Sequence, residues 1–187
     1  MSQIQGKKEL FNKFDSMDKG LVECIYSQMK KETEQVRSRA SLLCPVNHGE
    51  LKQNIFGMTL KKEDSVQGIV YTNKEYAAYV EFGTGPKGQA NHEGISPNVN
   101  VTYSQKGWAF PAEGILASDA QKYGWPKRIY GGKEYFVTSG QAAQPFMYPA
   151  LKDYEETAKK NIANAINKYL RGLGKWLMLR IKFIKHF

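Results

Sequence analysis

The stretch that decides the fold is Asn73-Lys74-Glu75-Tyr76-Ala77-Ala78-Tyr79-Val80-Glu81-Phe82-Gly83-Thr84-Gly85-Pro86. Residues 68–71, just before it, are rich in β-branched and aromatic types and predict a short strand. Thr72 stands three residues ahead of Glu75, which is the spacing of a capping box at the start of a helix. Two helical turns should follow, with one inward-facing side formed by Tyr76, Tyr79 and Val80.

The end of this stretch predicts where the helix stops. Gly83 and Gly85 tolerate the positive φ that ends a helix, and Pro86 should prevent the helix from resuming. Glu81 beside the Gly-Thr-Gly turn could also be read as a catalytic carboxylate next to a phosphate-binding turn. Short glycine motifs are weak evidence, so we favour a helix that packs and stops.

Composition bounds the class of protein. The chain has 187 residues, of which 41% are hydrophobic and 12% aromatic, enough for the core of one ordinary domain. No apolar run approaches the ~20 residues of a membrane span, and the polar start does not resemble a signal peptide. Cys24 and Cys44 fit a reducing compartment, and neither they nor His48 stand at metal-ligand spacing. We therefore predict no metal and no cofactor.

The segments on either side of this stretch predict a helix and a hairpin. Residues 8–42 should form one long helix, or two joined near residues 18–20, because apolar residues recur three and four apart. This stripe consists of Leu10, Phe11, Phe14, Met17, Leu21, Val22, Ile25 and Met29. Few apolar residues follow Lys30, so that end should be more exposed. Residues 57–62 and 67–71 predict the two arms of a hairpin.

Residues 87–133 are rich in Gly, Asn, Ser and Lys and predict a loop-rich insertion. Residues 108–111 and 134–138 are short strand candidates that could pair across it. Tyr123, Trp125 and Tyr130 are interleaved with basic residues, a pattern that can stack nucleobases but more often makes protein contacts. Our candidate interface residues are Trp108, Tyr123, Trp125, Trp176, Phe183 and Phe187.

The last part of the chain predicts a helix followed by a basic extension. An apolar stripe runs from Tyr154 to Leu170, and residues 172–174, Gly-Leu-Gly, should interrupt the helix. Residues 151–187 contain nine basic and three acidic residues, which accounts for most of the net charge of +9. Residues 175–187 could bind a membrane surface, but we favour a segment that docks on a partner. We therefore divide the chain into a domain at 1–171 and an extension at 172–187.

Three separated blocks carry a resemblance to a known family. Residues 44–55 contain Pro-x-x-x-Gly-x-Leu, residues 76–85 read Tyr-Ala-Ala-Tyr-Val-Glu-Phe-Gly-Thr-Gly, and residues 144–151 contain Pro-Phe-Met-x-Pro-Ala. In this order they resemble the neck and tail-completion (head–tail joining) family of long-tailed bacteriophages and prophages. Asn47-His48 stands where the family pattern has Asp-Thr, and Met147 stands where it has Leu. The matching positions are Pro45, Gly49, Leu51, Tyr76, Ala77, Tyr79, Glu81, Gly83, Thr84, Gly85, Pro145, Phe146, Pro149 and Ala150.

The resemblance implies an α+β fold with a long N-terminal helix, a small antiparallel sheet, a short central helix and a long C-terminal helix. It implies a structural virion protein, assembled in the host bacterial cytoplasm, in a homo-oligomeric ring expected to be a hexamer. Its partners would be the connector or stopper, the tail terminator and the tail tube, with phage DNA in the channel. It implies no catalysis, and the residues offer no nucleophile, base and oxyanion set. A basic nucleic-acid-binding protein is the alternative.

Overall fold

The computed structural model describes residues 7–47, 49–63 and 65–184, and the side chains of residues 17–47, 49–63 and 65–174. The predicted α+β class is confirmed. The described residues form two compact units: unit 1 lies within Met1–Arg39, Ile55–Tyr71 and Ala150–Phe187, and unit 2 within Ala40–Asn54 and Thr72–Pro149. His48 of the first sequence block lies outside the described residues.

Two long helices supply most of unit 1. The first, α1 (Lys7–Leu43), is one continuous helix, which is the first of the two predicted alternatives. The expectation that its end beyond Lys30 is more exposed is wrong, because Glu32, Thr33 and Val36 are buried. Burial is tolerated there because the polar side chains have partners: Thr33 Oγ1 donates to the Met29 carbonyl at 2.8 Å, and Glu32 accepts a hydrogen bond from Tyr154.

The predicted hairpin is confirmed as a two-stranded sheet of β1 (Ile55–Lys61) and β2 (Val66–Thr72). Its glycines allow close approach to α1, since a Cβ on Gly68 would collide with Thr33 Oγ1 and one on Gly57 would lie 3.3 Å from Thr33 Cγ2. On the opposite face, the Phe56 and Tyr71 rings lie 5.7 Å apart and are partly exposed.

The C-terminal helix, α7 (Glu155–Ile184), follows the short α6 (Met147–Lys152). The predicted interruption at residues 172–174 is wrong, because α7 runs through both glycines without a break. Trp176, Phe183 and Phe187 are interface candidates whose side chains lie outside the described residues. Among the residues that the structure describes, the helices are too short or too polar to cross a membrane.

Unit 2 consists of short elements. Its helices are α2 (Glu50–Gln53), α3 (Ala77–Phe82), α4 (Gly85–Ala90) and α5 (Ala117–Tyr123). Its strands are β3 (Trp108–Pro111), β4 (Lys127–Tyr130) and β5 (Lys133–Thr138). They form an antiparallel sheet in the order β3-β5-β4, in which Trp108 lies opposite Thr138. The predicted pairing of residues 108–111 with residues 134–138 is confirmed.

The central helix differs from its prediction at both ends. The capping box is wrong: Thr72 Oγ1 accepts a hydrogen bond from the Lys74 N–H at 3.3 Å, and α3 begins only at Ala77 without a side-chain cap. Pro86 does not stop helix formation, because α4 begins at Gly85 and the proline lies in its first turn, where no N–H is needed. The positive φ of Gly83 (73°) and Gly85 (62°) is confirmed.

The side of α3 that faces inward is also different from the prediction. Tyr76 and Tyr79 are 40% and 60% exposed, whereas Ala77 and Glu81 are buried. The prediction is wrong because it ranked side chains by hydrophobicity, and the buried carboxylate of Glu81 is compensated by hydrogen bonds that the local sequence does not reveal.

Candidate functional site

Glu81 is the centre from which the site is built. Its side chain is 6% exposed, and Oε2 accepts the backbone N–H groups of Phe146 at 2.7 Å and Met147 at 2.9 Å. Oε1 accepts the N–H of Tyr148 at 3.0 Å. The first four N–H groups of a helix have no partner within the helix, and the fourth position here is Pro149, which has none to satisfy. One carboxylate therefore satisfies the whole N-terminus of α6.

The turn after α3 is held against the segment that leads to α6. Thr84 and Gln141 exchange two backbone hydrogen bonds of 2.9 and 3.1 Å, and the Gln144 N–H donates to the Val80 carbonyl at 2.8 Å. This close approach requires glycine: a Cβ on Gly83 would lie 2.7 Å from the Ala143 nitrogen, and one on Gly140 would collide with the Thr84 carbonyl. The second and third sequence blocks thus form one framework.

The first sequence block lies in the same unit. Gly49, with φ 80°, precedes α2, and Leu51 on that helix is buried. Lys74 forms an ion pair with Glu50 and donates a hydrogen bond to its carboxylate, and this hydrogen bond raises the pKa of Lys74. Burial raises the pKa of the nearby Cys44 thiol. The charge of Lys52 lowers this pKa and that of Glu81 raises it, and the net shift is upward. The Cys44 thiol therefore stays protonated at neutral pH.

A groove of about 1070 Å³ opens between these blocks and the sheet of unit 2; we call it the aromatic groove. Its lining comes from five separated segments and is mostly apolar, with Tyr76 and Tyr79 on one side and Trp108 and Trp125 among the contributors from the sheet region. Tyr103 also lines it, and its hydroxyl donates to the Phe82 carbonyl at 2.8 Å. Burial raises the pKa of Tyr103, so this donor is retained well into the alkaline range.

The aromatic rings near Trp125 pack on one another. The Tyr123 and Trp125 rings stack with centroids 4.9 Å apart, and Phe110 meets Trp125 edge-on at 5.0 Å. Lys122 lies 5.4 Å from the Tyr123 centroid and donates to Asn47 Oδ1 at 2.8 Å. A second cavity of about 310 Å³ shares Trp108, Lys122, Tyr123 and Trp125 with the groove and adds Lys87. The arrangement is suited to binding an apolar group beside an anion.

The structure brings together many of the residues singled out from the sequence. The groove lining includes Pro45, Gly49, Leu51, Tyr76, Tyr79, Gly83, Thr84, Gly85, Trp108, Tyr123 and Trp125. Phe146 and Ala150 are fully buried instead, and Ala77 is also buried. Within the described part of the chain, no three His, Cys, Asp or Glu side chains are grouped to hold a metal ion.

The groove residues that sequence reasoning did not assign include Tyr103, Lys122, Gln141 and Gln144. Lys122 was noted only as one of several basic neighbours of the aromatic residues. Gln141 Nε2 donates to the Tyr79 carbonyl at 2.8 Å across 62 positions of sequence, and no local pattern signals such a pair. The adjacency of Lys122 to Tyr123 was the one available signal.

The comparisons with known proteins give one family. Residues 8–83 match the HK97-gp10-like family model, described as "Bacteriophage HK97-gp10, putative tail-component". No curated protein and no solved structure matches the chain. The matched residues contain nearly all of α1, the hairpin and α3. They include the first sequence block and all of the second except Thr84 and Gly85. Residues 8–83 are thus similar to a family of phage tail components, which agrees with the resemblance to phage neck and tail-completion proteins.

Proposed function

We propose that this chain is a structural protein of the phage virion that forms part of the neck or tail-completion ring, where the DNA-filled head joins the tail. The family match carries the tail role. The head–tail refinement rests on the third sequence block, which lies beyond the matched residues. Glu81 ties that block to the second one through three backbone hydrogen bonds, which supports treating both as parts of one functional framework.

Uncovered apolar surface favours a subunit of an assembly. In unit 2, Tyr79, Leu116 and Ile129 are each more than half exposed, and in unit 1 the outer hairpin face leaves Phe56 and Met58 partly exposed. Exposed apolar groups that cluster on a surface mark contacts with other proteins. We propose that the neighbours are further copies of this chain in a ring of six, together with the connector or stopper, the tail terminator and the tail tube.

The role is proposed as structural and not catalytic, with no cofactor, in a particle assembled in the host cytoplasm. The net charge of +9 would favour the neighbourhood of DNA passing through the channel. Contact of this kind would be electrostatic and independent of sequence, because it needs only phosphate groups near the basic residues.

Deletion of the gene tests the proposal. In the phage or prophage that encodes the chain, the deletion should leave filled heads and separate tails that fail to join, as seen by negative-stain electron microscopy of lysates. Supply of the wild-type chain from a plasmid should restore joined virions. Normal virions from the deletion strain would refute the assignment, and absence of tails altogether would place the chain in tail-tube assembly instead.

Imaging of the purified chain tests the ring. We expect closed particles with sixfold averages, because copies that meet through unlike surfaces close into rings when the rotation permits. The purified chain could instead be monomeric at all concentrations while gene deletion still prevents joining. That result would support the proposed place at the head–tail junction and reject self-assembly outside the virion.

A further inference from the structure

The aromatic groove carries a charge pattern that selects its ligand. Lys122 lies in its lining, and Lys87 lies in the adjoining cavity that shares Trp108 and Trp125. Glu50, an acidic residue of the lining, forms an ion pair with Lys74 and is thereby neutralised. The remaining charge at the tryptophan end of the groove is positive, so the groove is complementary to an anionic group.

The ring cluster around Trp125 is poorly arranged for nucleobases. A base stacks on a free ring face, but Trp125 is stacked on Tyr123 at 4.9 Å and is met edge-on by Phe110 at 5.0 Å. A binding site for single-stranded nucleic acid also has a series of basic residues along the path of the sugar–phosphate backbone. The groove therefore offers apolar ring surface and a localised positive charge, which suit a protein segment better than a nucleic acid.

The size of the groove and its neutral polar groups fit a peptide. Its volume of about 1070 Å³ is at the upper limit of small-molecule pockets, which are typically about 300–1,000 Å³. The side chains of Gln144 and Thr84 add neutral hydrogen-bonding groups to the lining. Trp108 belongs to β3, which is an edge strand of its sheet and can be extended by a peptide in β conformation.

We propose that the aromatic groove binds an acidic, apolar peptide segment of another virion protein. An aliphatic or aromatic side chain of the segment packs between Tyr79 and Trp108, and an Asp or Glu beside it meets Lys122 and Lys87. The assignment of the partner to the virion rests on the proposed function. The chain's own residues 175–187 are an unsuitable occupant, because they contain four Lys or Arg and no acidic residue.

Peptide binding to the purified full-length chain tests the proposal. The probes are overlapping 15-residue peptides that cover every protein encoded by the same phage or prophage, this chain included, and binding is measured by fluorescence anisotropy. We expect the bound peptides to combine Asp or Glu with large apolar residues and to come from other virion proteins. Raising the ionic strength should weaken the binding of these peptides, since screening reduces attraction between exposed charges.

Matched variants locate the binding. Tyr79→Ala removes an exposed ring of the lining and should weaken binding by about tenfold, whereas Tyr130→Ala removes a similarly exposed ring outside the lining and should not. Lys122→Glu should abolish binding of the acidic peptides, whereas Lys133→Glu, outside the lining, should leave it unchanged. Thermal midpoints of all four variants should stay near that of the wild type.

Other outcomes would overturn the proposal. These are no peptide binding, binding only by peptides of this chain, or equal loss in both members of a variant pair. Tyr79-dependent binding of oligo(dT) of 15 nucleotides in place of peptides would identify a nucleic-acid groove. The peptide assay uses purified protein and does not depend on the gene-deletion experiment. If deletion left joining normal while the peptides still bound, the proposed function would be rejected and the peptide-binding role of the groove would stand.

Discussion

Among the side chains that the structure describes, each unit buries one glutamate, and the two carboxylates are satisfied in different ways. In unit 1, Glu32 accepts hydrogen bonds from side chains: the Tyr154 hydroxyl at 2.6 Å, the Asn161 amide at 3.3 Å and the Gln28 amide. In unit 2, the donors to Glu81 among the described residues are backbone N–H groups of three consecutive residues. Side-chain donors require particular residue types at particular places, whereas backbone donors require only a helix end in the correct position.

The difference predicts how each site fails. Loss of one side-chain donor near Glu32 leaves the other donors in place. Loss of the Glu81 carboxylate leaves three backbone N–H groups of α6 without an acceptor at once. Unsatisfied buried donors cost about 1–3 kcal/mol each, so unit 2 should be more sensitive to substitution of its glutamate.

Glu81→Gln should give the largest effect. The amide can replace only one carboxylate oxygen, and its NH₂ group then faces a backbone N–H, so we expect a loss of about 3–5 kcal/mol in the free energy of unfolding. Chemical denaturation of the purified proteins measures it. Glu75→Gln is the matched control, because Glu75 is exposed in the same stretch and should change stability by less than about 0.5 kcal/mol. Equal midpoints for the two variants would show that the bonds to α6 contribute little.

Gly83→Val should give the next largest effect and tests the backbone side of the same framework. A valine at φ 73° is strained, and its Cβ would lie 2.7 Å from the Ala143 nitrogen. We expect a loss of about 2–4 kcal/mol. Gly114→Val separates the two causes, because Gly114 has φ 78° with nothing within 4 Å of the added Cβ. If both variants lost the same stability, the loss would come from the positive φ alone, and the close approach of Gly83 to Ala143 would not contribute.

Tyr154→Phe should give the smallest effect and weakens the Glu32 site. Loss of the hydroxyl donor should cost about 1.5–3 kcal/mol at neutral pH, because Gln28 and Asn161 still reach the carboxylate. The hydrogen bond to Glu32, with burial, raises the pKa of Tyr154. The folded state thus favours the protonated phenol, so its contribution is complete below pH ~10 and declines as the pH rises through the folded-state pKa.

The measurement for this variant is the free energy of unfolding from pH 7 to pH 11. The gap between wild type and Tyr154→Phe should narrow above pH ~10. Tyr26→Phe removes a hydroxyl from the same unit and should stay within about 0.5 kcal/mol of the wild type. A constant gap across this range would mean that the phenol does not stabilise the folded state through its proton.

Elements with strong local periodicity could be predicted from the sequence, and those decided by distant partners could not. The apolar stripe of α1 and the hairpin strands, with their β-branched and aromatic residues, required no knowledge of the rest of the chain. The buried side of α3 depends on Glu81, whose donors lie at least 65 residues further along. A ranking by hydrophobicity therefore placed Tyr76 and Tyr79 inward, where the small Ala77 and the compensated Glu81 lie.

Glycine was informative only where a positive φ was needed. Gly83 was correctly placed at the end of α3, and the positive φ expected of Gly85 is present although that residue begins α4. Residues 172–174 were not a helix break, because glycine inside a helix costs only about 1 kcal/mol relative to alanine, and the flanking Leu, Lys and Arg residues are good helix formers. The aromatic groove could not be predicted as a whole, since five segments contribute to its lining and only some carry recognisable sequence blocks.

The way in which Glu81 is satisfied also bears on how the sequence can change over evolutionary time. Every residue except proline carries the N–H that Glu81 accepts, so positions 147 and 148 can drift without loss of those hydrogen bonds. The carboxylate itself has no equivalent substitute at the geometry observed. Met147, where the family pattern has Leu, is an exchange of this permitted kind. Divergence around this helix end should therefore be one-sided, with a fixed acceptor and variable donors.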